Sequence, residues 1–252
     1  MRRAQTCPFF GDEMKKWCEG IFFALALVCI LGAVFLHGIR QEGRSEDLYG
    51  TRSRQAVWRA LGYAGEEMDE FQLSRVIGME EQQQAEAAKS LANFMRGKES
   101  VPGFLNEKEQ VHMQDVRNLM EACERWAQIL LWIALLFVLG LAWLSAGDEH
   151  AASWLGRGVF FLLVFCAAGV AVFSFVGFER LFYGVHHLLF DNDFWILDPK
   201  TDILIRMMPQ TLFEETFLRV LKKTLIQSGL ITAVFAAVFV YMRKRVRQWT
   251  GK

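Results

Sequence analysis

The chain has 252 residues, 53% of them hydrophobic, with 28 basic and 28 acidic side chains and a formal net charge of zero. Balanced charge argues against a nucleic-acid partner, and the 5 cysteines show no spacing of a zinc knuckle or a disulfide framework. The apolar residues are not spread as in a soluble core. They gather into Gly20–Gly38, Trp126–Ala146, Trp154–Phe178 and Leu225–Met242, each close to the about 20 residues a membrane helix needs.

Residues 1–19 form a basic lead with Arg2, Arg3, Lys15 and Lys16. The first apolar block ends in FLHGIR, without a small-x-small cleavage site, so it reads as a retained anchor. Arg243, Lys244, Arg245 and Arg247 follow the last block, and positive flanks at both ends predict that both termini are cytoplasmic. The expectation is an all-α, multi-pass protein of the cell membrane with four transmembrane helices at 20–38, 126–146, 154–178 and 225–242. A mainly helical extracellular cap is expected from 39–125 and 179–223, with a short β-hairpin and a cytoplasmic tail at 243–252.

Within the cap, Ser53–Gly62 has helical spacing at Val57 and Leu61. From Glu66 to Arg96, Met68, Phe71, Val76, Met79, Ala88, Leu91 and Met95 recur at roughly helical intervals, and Gly97–Gly103 with Pro102 is the break. Asn106 is placed to cap a helix, with Glu107 and Glu109 in its first turn, where the helix dipole favours acids. Nothing interrupts that helix before Trp126, so it should run directly into the second span. His112 and Asp115 lie three residues apart on one side of it.

Past the third span, Phe178, Phe182, Val185 and Leu189 continue an apolar stripe. That puts His186 on a helix at the outer membrane edge, ended by Asp191-Asn192-Asp193. The runs WIL, DPKTD and ILI read as strand, turn and strand, with Pro199 in the turn.

His112 and His186 are each expected at the outer end of a membrane helix with carboxylates nearby in sequence: Glu109 and Asp115 for one, Asp191 and Asp193 for the other. An imidazole with an unperturbed pKa of about 6.5 suits proton transfer near neutrality. The competing reading is two interfacial polar residues satisfied by water or backbone. His186-His187 with Asp193 and His112 would supply enough ligands for zinc, but adjacent helical residues point about 100° apart. There is no HExxH and no cysteine pair, so no metal ligand is assigned. Nor is there GxSxG or a glycine-rich phosphate loop, so an enzyme here would take its nucleophile from the substrate. Trp195 reads as an interface-belt or site residue, and Asp198 and Asp202 as turn formers or groups that orient a histidine. Arg206 could bind lipid phosphate or pair with Asp202.

At EKEQVHMQDV (Glu107–Val116) and HHLLFDNDFWILDPKTDILIRMMP (His186–Pro209) the chain resembles the four-span membrane proteins that include the lipoprotein intramolecular transacylases, called Lit. The shared pattern is a glutamate, then His-Met/Leu-x-Asp-Val, and later a histidine, Asn-Asp-x-Trp, Asp-Pro-x-Thr-Asp and a proline. Counting back from Asn192-Asp193 selects His186 as the second histidine. The chain departs from the pattern at Val185, at Leu189 and at Gln210.

The resemblance implies an enzyme that moves the sn-2 acyl chain of a diacylglyceryl lipoprotein onto the α-amino group of its N-terminal cysteine. The product is an N-acyl, lyso-form lipoprotein, made without a cofactor. For that reaction the expected assignment is His112 as base on the amine and His186 as its partner for proton return or oxyanion support, with interchangeable roles. Asp115, Asp193, Trp195, Asp202 and Arg206 are the expected orienting or substrate-binding residues. The partners would be the lipoprotein and membrane lipids, the protein a monomer, and its site would face outside. Two other classes compete: a non-enzymatic membrane scaffold or lipid sensor, and a metal-dependent membrane hydrolase.

Overall fold

The computed structural model describes residues 12–144 and 175–249, with Val164 and Gly169 between them. Helix α1 is Asp12–Gly43, and a π-helical turn, Leu48–Arg52, leads into α2, Ser53–Ala60. Then come α3, Glu70–Ile77; α4, Glu81–Met95; and α5, Glu107–Leu144. The later helices are α6, Phe178–Leu189; α7, Ile203–Met207; and α8, Gln210–Trp249. No sheet forms among the described residues. As expected, α5 passes through Trp126 without a break.

The chain divides into two compact units. One is Met1–Leu36, Trp126–Phe175 and Lys223–Lys252; the other is His37–Arg125 and Val176–Lys222. In the first, α1 and α5 are long and apolar enough to cross a membrane, over Trp17–Gly43 and Glu107–Leu144. Within α5 the apolar run starts at Trp126, because Glu107–Arg125 is rich in charge. Trp17, Leu136 and Trp143 are 71%, 68% and 66% exposed, an arrangement that suits a lipid surround and not a soluble core. Phe22 meets Phe137 edge-on at 5.6 Å. A Cβ at Gly140 would stand 2.6 Å from the Phe22 ring, so only glycine lets that ring approach. The block Trp154–Phe178 lies almost wholly outside the described residues, and Leu225–Met242 lies within α8.

The second unit holds the cap helices. Asp69 caps α3 by accepting the Phe71 and Gln72 N–H groups, and Gly78, at φ +81°, ends it. Glu80 then starts α4, its N–H donating to Gln83 Oε1 at 3.1 Å. The run of helical spacing from Glu66 to Arg96 is thus divided between two helices. Leu73, Ile77, Leu91, Phe94 and Met95 are each at most 1% exposed and pack with Met207 and Leu212 of α7 and α8. Burial of each such side chain is worth about 1.5–3 kcal/mol.

One expectation is corrected. The hairpin over WIL, DPKTD and ILI does not form: residues 196–198 have no regular secondary structure, Pro199–Thr201 turn, and Ile203–Met207 is α7. Leu204 and Met207, three residues apart, both bury in the cap core, and the Leu204 N–H donates to Glu109 Oε1 at 2.6 Å. A partner on α5 thus takes the place of a strand ladder. The stripe Phe178, Phe182, Val185 and Leu189 lies on α6 as expected, and Gly177, at φ +78°, stands just before that helix.

Candidate active site

Helix α5 begins with a reciprocal cap. Asn106 Oδ1 accepts the Glu109 N–H at 2.9 Å, and Glu109 Oε2 accepts the Asn106 N–H at 2.9 Å. Glu109 is 1% exposed and its other oxygen holds Leu204, so this turn is tied to α7. His112 follows on the next turn, buried, beside Met113 of the cap core. Its ring nitrogens hydrogen-bond to no protein group among the described residues.

His186 comes from α6. Its Nδ1 lies 2.7 Å from the Phe182 carbonyl oxygen. A carbonyl can only accept, so Nδ1 carries the proton and neutral His186 presents a bare Nε2. The two rings meet at 6.3 Å between centroids, tilted 33°. Phe190 is 5.5 Å from each, and Trp195 is 5.0 Å from His186 and edge-on to His187 at 4.9 Å. From Phe182, 4.1 Å from His186, an aromatic row continues to Phe213 at 5.6 Å and Phe178 at 5.9 Å.

The apolar surround sets the charge state. Burial first, then the neighbouring His186 and Lys108, push the His112 pKa down to about 4, with Asp115 opposing. Burial also lowers His186, opposed by its bond to the Phe182 carbonyl and reinforced by His187. His112 lies outside the apolar part of α5, so this is not a bilayer effect. Both imidazoles are accordingly neutral at neutral pH.

Polar bonds hold the loop that brings Trp195 to the rings. Asn192 Nδ2 donates to Asp115 Oδ2 at 2.9 Å, while Asn192 Oδ1 accepts the Phe194 N–H at 3.0 Å. Asp202, 3% exposed, accepts from the Asp198 N–H at 2.7 Å, Asn106 Nδ2 at 2.9 Å and Thr201 Oγ1 at 3.0 Å. Burial raises the Asp202 pKa, but these donors and Lys108 hold it below the usual value. Lys108 lies 3.5 Å from Asp202 and also donates to the Ile196 carbonyl. A cleft of about 600 Å³ beside this loop is lined by Asn106, Lys108, Val111, Phe194 and Asp202, among others.

The structure thus brings His112, His186 and Trp195 together, with Asp115 reached through Asn192. Asp202 shapes the loop and takes Lys108, not Arg206, as its cation. Arg206 lies elsewhere, its guanidinium 3.5 Å from where a Gly78 Cβ would be. Asp193 is exposed, and its carbonyl accepts the Ile196 N–H. Among the described residues, no three His, Cys, Asp or Glu side chains are grouped to hold a metal ion. Sequence reasoning read Phe182 as part of an apolar stripe and Asn192 as part of a helix end and a motif, and gave neither them nor Phe190 a site role. It read Glu109 as a first-turn acid and a carboxylate near His112, although its spacing from Asn106 is the capping-box signal.

No curated protein matches the chain. Among solved structures, the in meso structure of the membrane-integral lipoprotein intramolecular transacylase Lit from Bacillus cereus is similar, with a TM-score of 0.59 at 17% identity. The match covers 94% of this chain and 100% of that one, and at such identity it speaks for the fold. The family model of the lipoprotein intramolecular transacylase Lit matches residues 53–213, more than half of the chain and both histidine segments. On that match, this chain belongs to the Lit family.

Proposed function

We propose that this protein transfers the sn-2 acyl chain of a diacylglyceryl lipoprotein to the α-amino group of the lipoprotein's N-terminal cysteine. The observation that carries the reading is the pair of neutral, half-buried to buried imidazoles 6.3 Å apart, each with a nitrogen uncommitted to protein. In the reaction the amine nitrogen bonds to the ester carbonyl carbon, and the bond from that carbon to the glyceryl oxygen breaks. One proton leaves nitrogen and one reaches the departing oxygen, so the reaction is a balanced isomerisation that needs no second substrate.

The His186 tautomer favours His186 as the base. Its bare Nε2 takes the proton as nitrogen attacks, becomes Nε2–H, and returns that proton to the glyceryl oxygen. The bond from Nδ1 to the Phe182 carbonyl strengthens as the ring charges. Neutral His112 then serves as a hydrogen-bond donor to the developing oxyanion, a role that requires a ring that resists protonation. This exchanges the roles first expected for the two histidines. Holding amine and ester in one pose supplies much of the rest, since effective molarities of this kind are worth about 7–11 kcal/mol. The aromatic row from Phe182 to Phe178 gives the acyl chain an apolar bed, and the cleft at Lys108 and Phe194 has room for polypeptide after the cysteine. We further infer four membrane spans, both termini cytoplasmic, a site facing outside, a monomer, and no metal, nucleotide or separate acyl donor.

The test is mass spectrometry of a lipoprotein's N-terminal lipopeptide from cells that leave it as the diacylglyceryl free amine. Expression of the wild-type chain should leave total mass unchanged and move one acyl chain to nitrogen. His112→Ala and His186→Ala should each cut the rate by about 10²–10⁴-fold. Product formed at the wild-type rate by either variant would remove that histidine from the mechanism. Loss of one acyl mass would mark a hydrolase, and no product at good expression would mark a scaffold.

A further inference from the structure

Outside the histidine site, a charged cluster lies at the end of α1. Arg40 is in the last turn of α1, and Arg44 is the first residue past its end at Gly43, its N–H donating to the Gln41 carbonyl at 3.3 Å. Arg40 pairs with Glu124 at 2.9 Å, and Arg117 of α5 pairs with Glu121 at 3.4 Å while lying over the Phe94 ring at 5.1 Å. Arg96 Nε donates to the Arg44 carbonyl at 2.9 Å. The Arg44 side chain, by contrast, makes no ion pair and no hydrogen bond among the described residues. It is half-buried, and its Nε is sealed from solvent without a partner.

This placement is held by packing. A Cβ at Gly43 would stand 3.0 Å from Met120 Sδ, so α1 and α5 close tightly beside Arg44. Arg44 is half-buried there, and its guanidinium has no direct ion pair among the described residues. Burial and then Arg40 lower the Arg44 pKa, and Arg117 adds to this, with Glu121 and Glu124 opposing. Four arginines (Arg40, Arg44, Arg96 and Arg117) face two glutamates, so the cluster carries excess positive charge. A half-buried guanidinium with no direct ion pair leaves its outer donors open to an anion from outside the chain.

Depth identifies the anion. Counted along α1 and one residue past its end, Arg40 and Arg44 stand two and six residues beyond the apolar block that ends at Gly38. At about 1.5 Å per residue that is about 3 and 9 Å, within the headgroup layer that flanks a hydrocarbon core about 30 Å thick. The anions concentrated at that level are lipid phosphates, and arginine binds phosphate through its planar fork of donors.

We propose that Arg44, flanked by Arg40 and Arg117, seats the phosphate of an anionic phospholipid headgroup at the end of α1. This site is separate from the histidine pair, and its test does not use acyl transfer. The full chain, purified in detergent, is titrated with phosphatidylglycerol, phosphatidylcholine or inorganic phosphate, with bound lipid read by native mass spectrometry and the thermal midpoint followed alongside. Phosphatidylglycerol should bind and raise the midpoint. Arg44→Gln should weaken that binding about tenfold, and Arg44→Lys, which keeps the charge but not the fork, should weaken it less. Arg75→Gln, on α3 and outside the cluster, should bind as the wild type does. Equal binding by Arg44→Gln and wild type would overturn the proposal, as would equal binding of phosphatidylcholine and phosphatidylglycerol. Protection by inorganic phosphate as strong as by lipid would replace a lipid seat with a free-anion site. If Arg44→Gln does not purify, Arg44→Lys decides alone, and lysine binding as tightly as arginine counts against the site.

Discussion

Helices α3 and α4 and the loop over residues 191–202 belong to one compact unit, yet different forces order them. The helices are ordered by side chains that see no water: Leu73, Leu91 and Met95 are 0% exposed. The loop buries Trp195 but is otherwise mostly exposed, and its position comes from hydrogen bonds to Asp115, Asn106 and Lys108 on or beside α5. Apolar packing is non-directional and tolerates small shifts in what it packs. Hydrogen bonds lose strength within a few tenths of an ångström and a few tens of degrees. The cap core therefore decides whether the unit folds, and the polar loop decides where Trp195 stands against His186 once it has folded.

The sharpest way to break that comparison is Leu91→Ala. It empties the middle of the cap core and should cost about 2–5 kcal/mol of stability, read as a lower unfolding midpoint. Below that midpoint, activity per folded molecule should stay near wild type. Activity lost in proportion to packing would mean that the site depends on core volume after all.

Glu109→Gln probes the joint between the two regions and should cost about 1–3 kcal/mol. The carboxylate accepts from both the Leu204 and the Asn106 N–H groups, and an amide can satisfy only one of them. Because His112 rides on the next turn, activity should fall as well. A variant that keeps both stability and activity would show that Glu109 is not the joint.

Asn192→Ala is smaller in stability, about 1 kcal/mol or less, but should lower turnover several-fold with KM little changed. It frees the loop from Asp115 without touching either ring. An equal loss in the unfolding midpoint and none in turnover would assign Asn192 to the fold alone.

The same division explains what could be read from the amino-acid sequence. The continuous α5, its Asn106 cap, the break after Arg96 and the two histidines each follow from local spacing or from a compact motif. The hairpin failed because ILI, with two β-branched residues, looks like a strand until Glu109, 95 residues away in sequence, captures the Leu204 N–H. Gly78, at positive φ, ends α3 through local bonds to the Ser74 carbonyl, and Gly177 takes positive φ just before α6. Asp202 was read as a turn former or a histidine-orienting group; its bonds to Asn106 and Lys108 give it the former task. Nothing in the sequence told Arg206 to lie on α3 and not beside Asp202.

The smallest effect is on pH, and it tests whether the site's apolar wall does what the geometry implies. The folded His112 titrates near about 4, below the unfolded value of about 6.5. Between those values the unfolded chain binds more protons than the folded one, so stability should be flat above about pH 6.5 and fall as pH drops toward about 4. From about pH 7 to about pH 5.5 the expected loss is about 1 kcal/mol, followed as the unfolding midpoint of the detergent-solubilised protein. His112→Asn should remove most of that slope, while His186, also lowered but less buried, keeps a remainder of the same sign. A slope unchanged in His112→Asn would mean that the ring is charged in the folded state at mildly acidic pH. A charged His112 would bind the oxyanion more strongly but would raise the cost of protonating His186 beside it, and the role division between the two rings would have to be reversed.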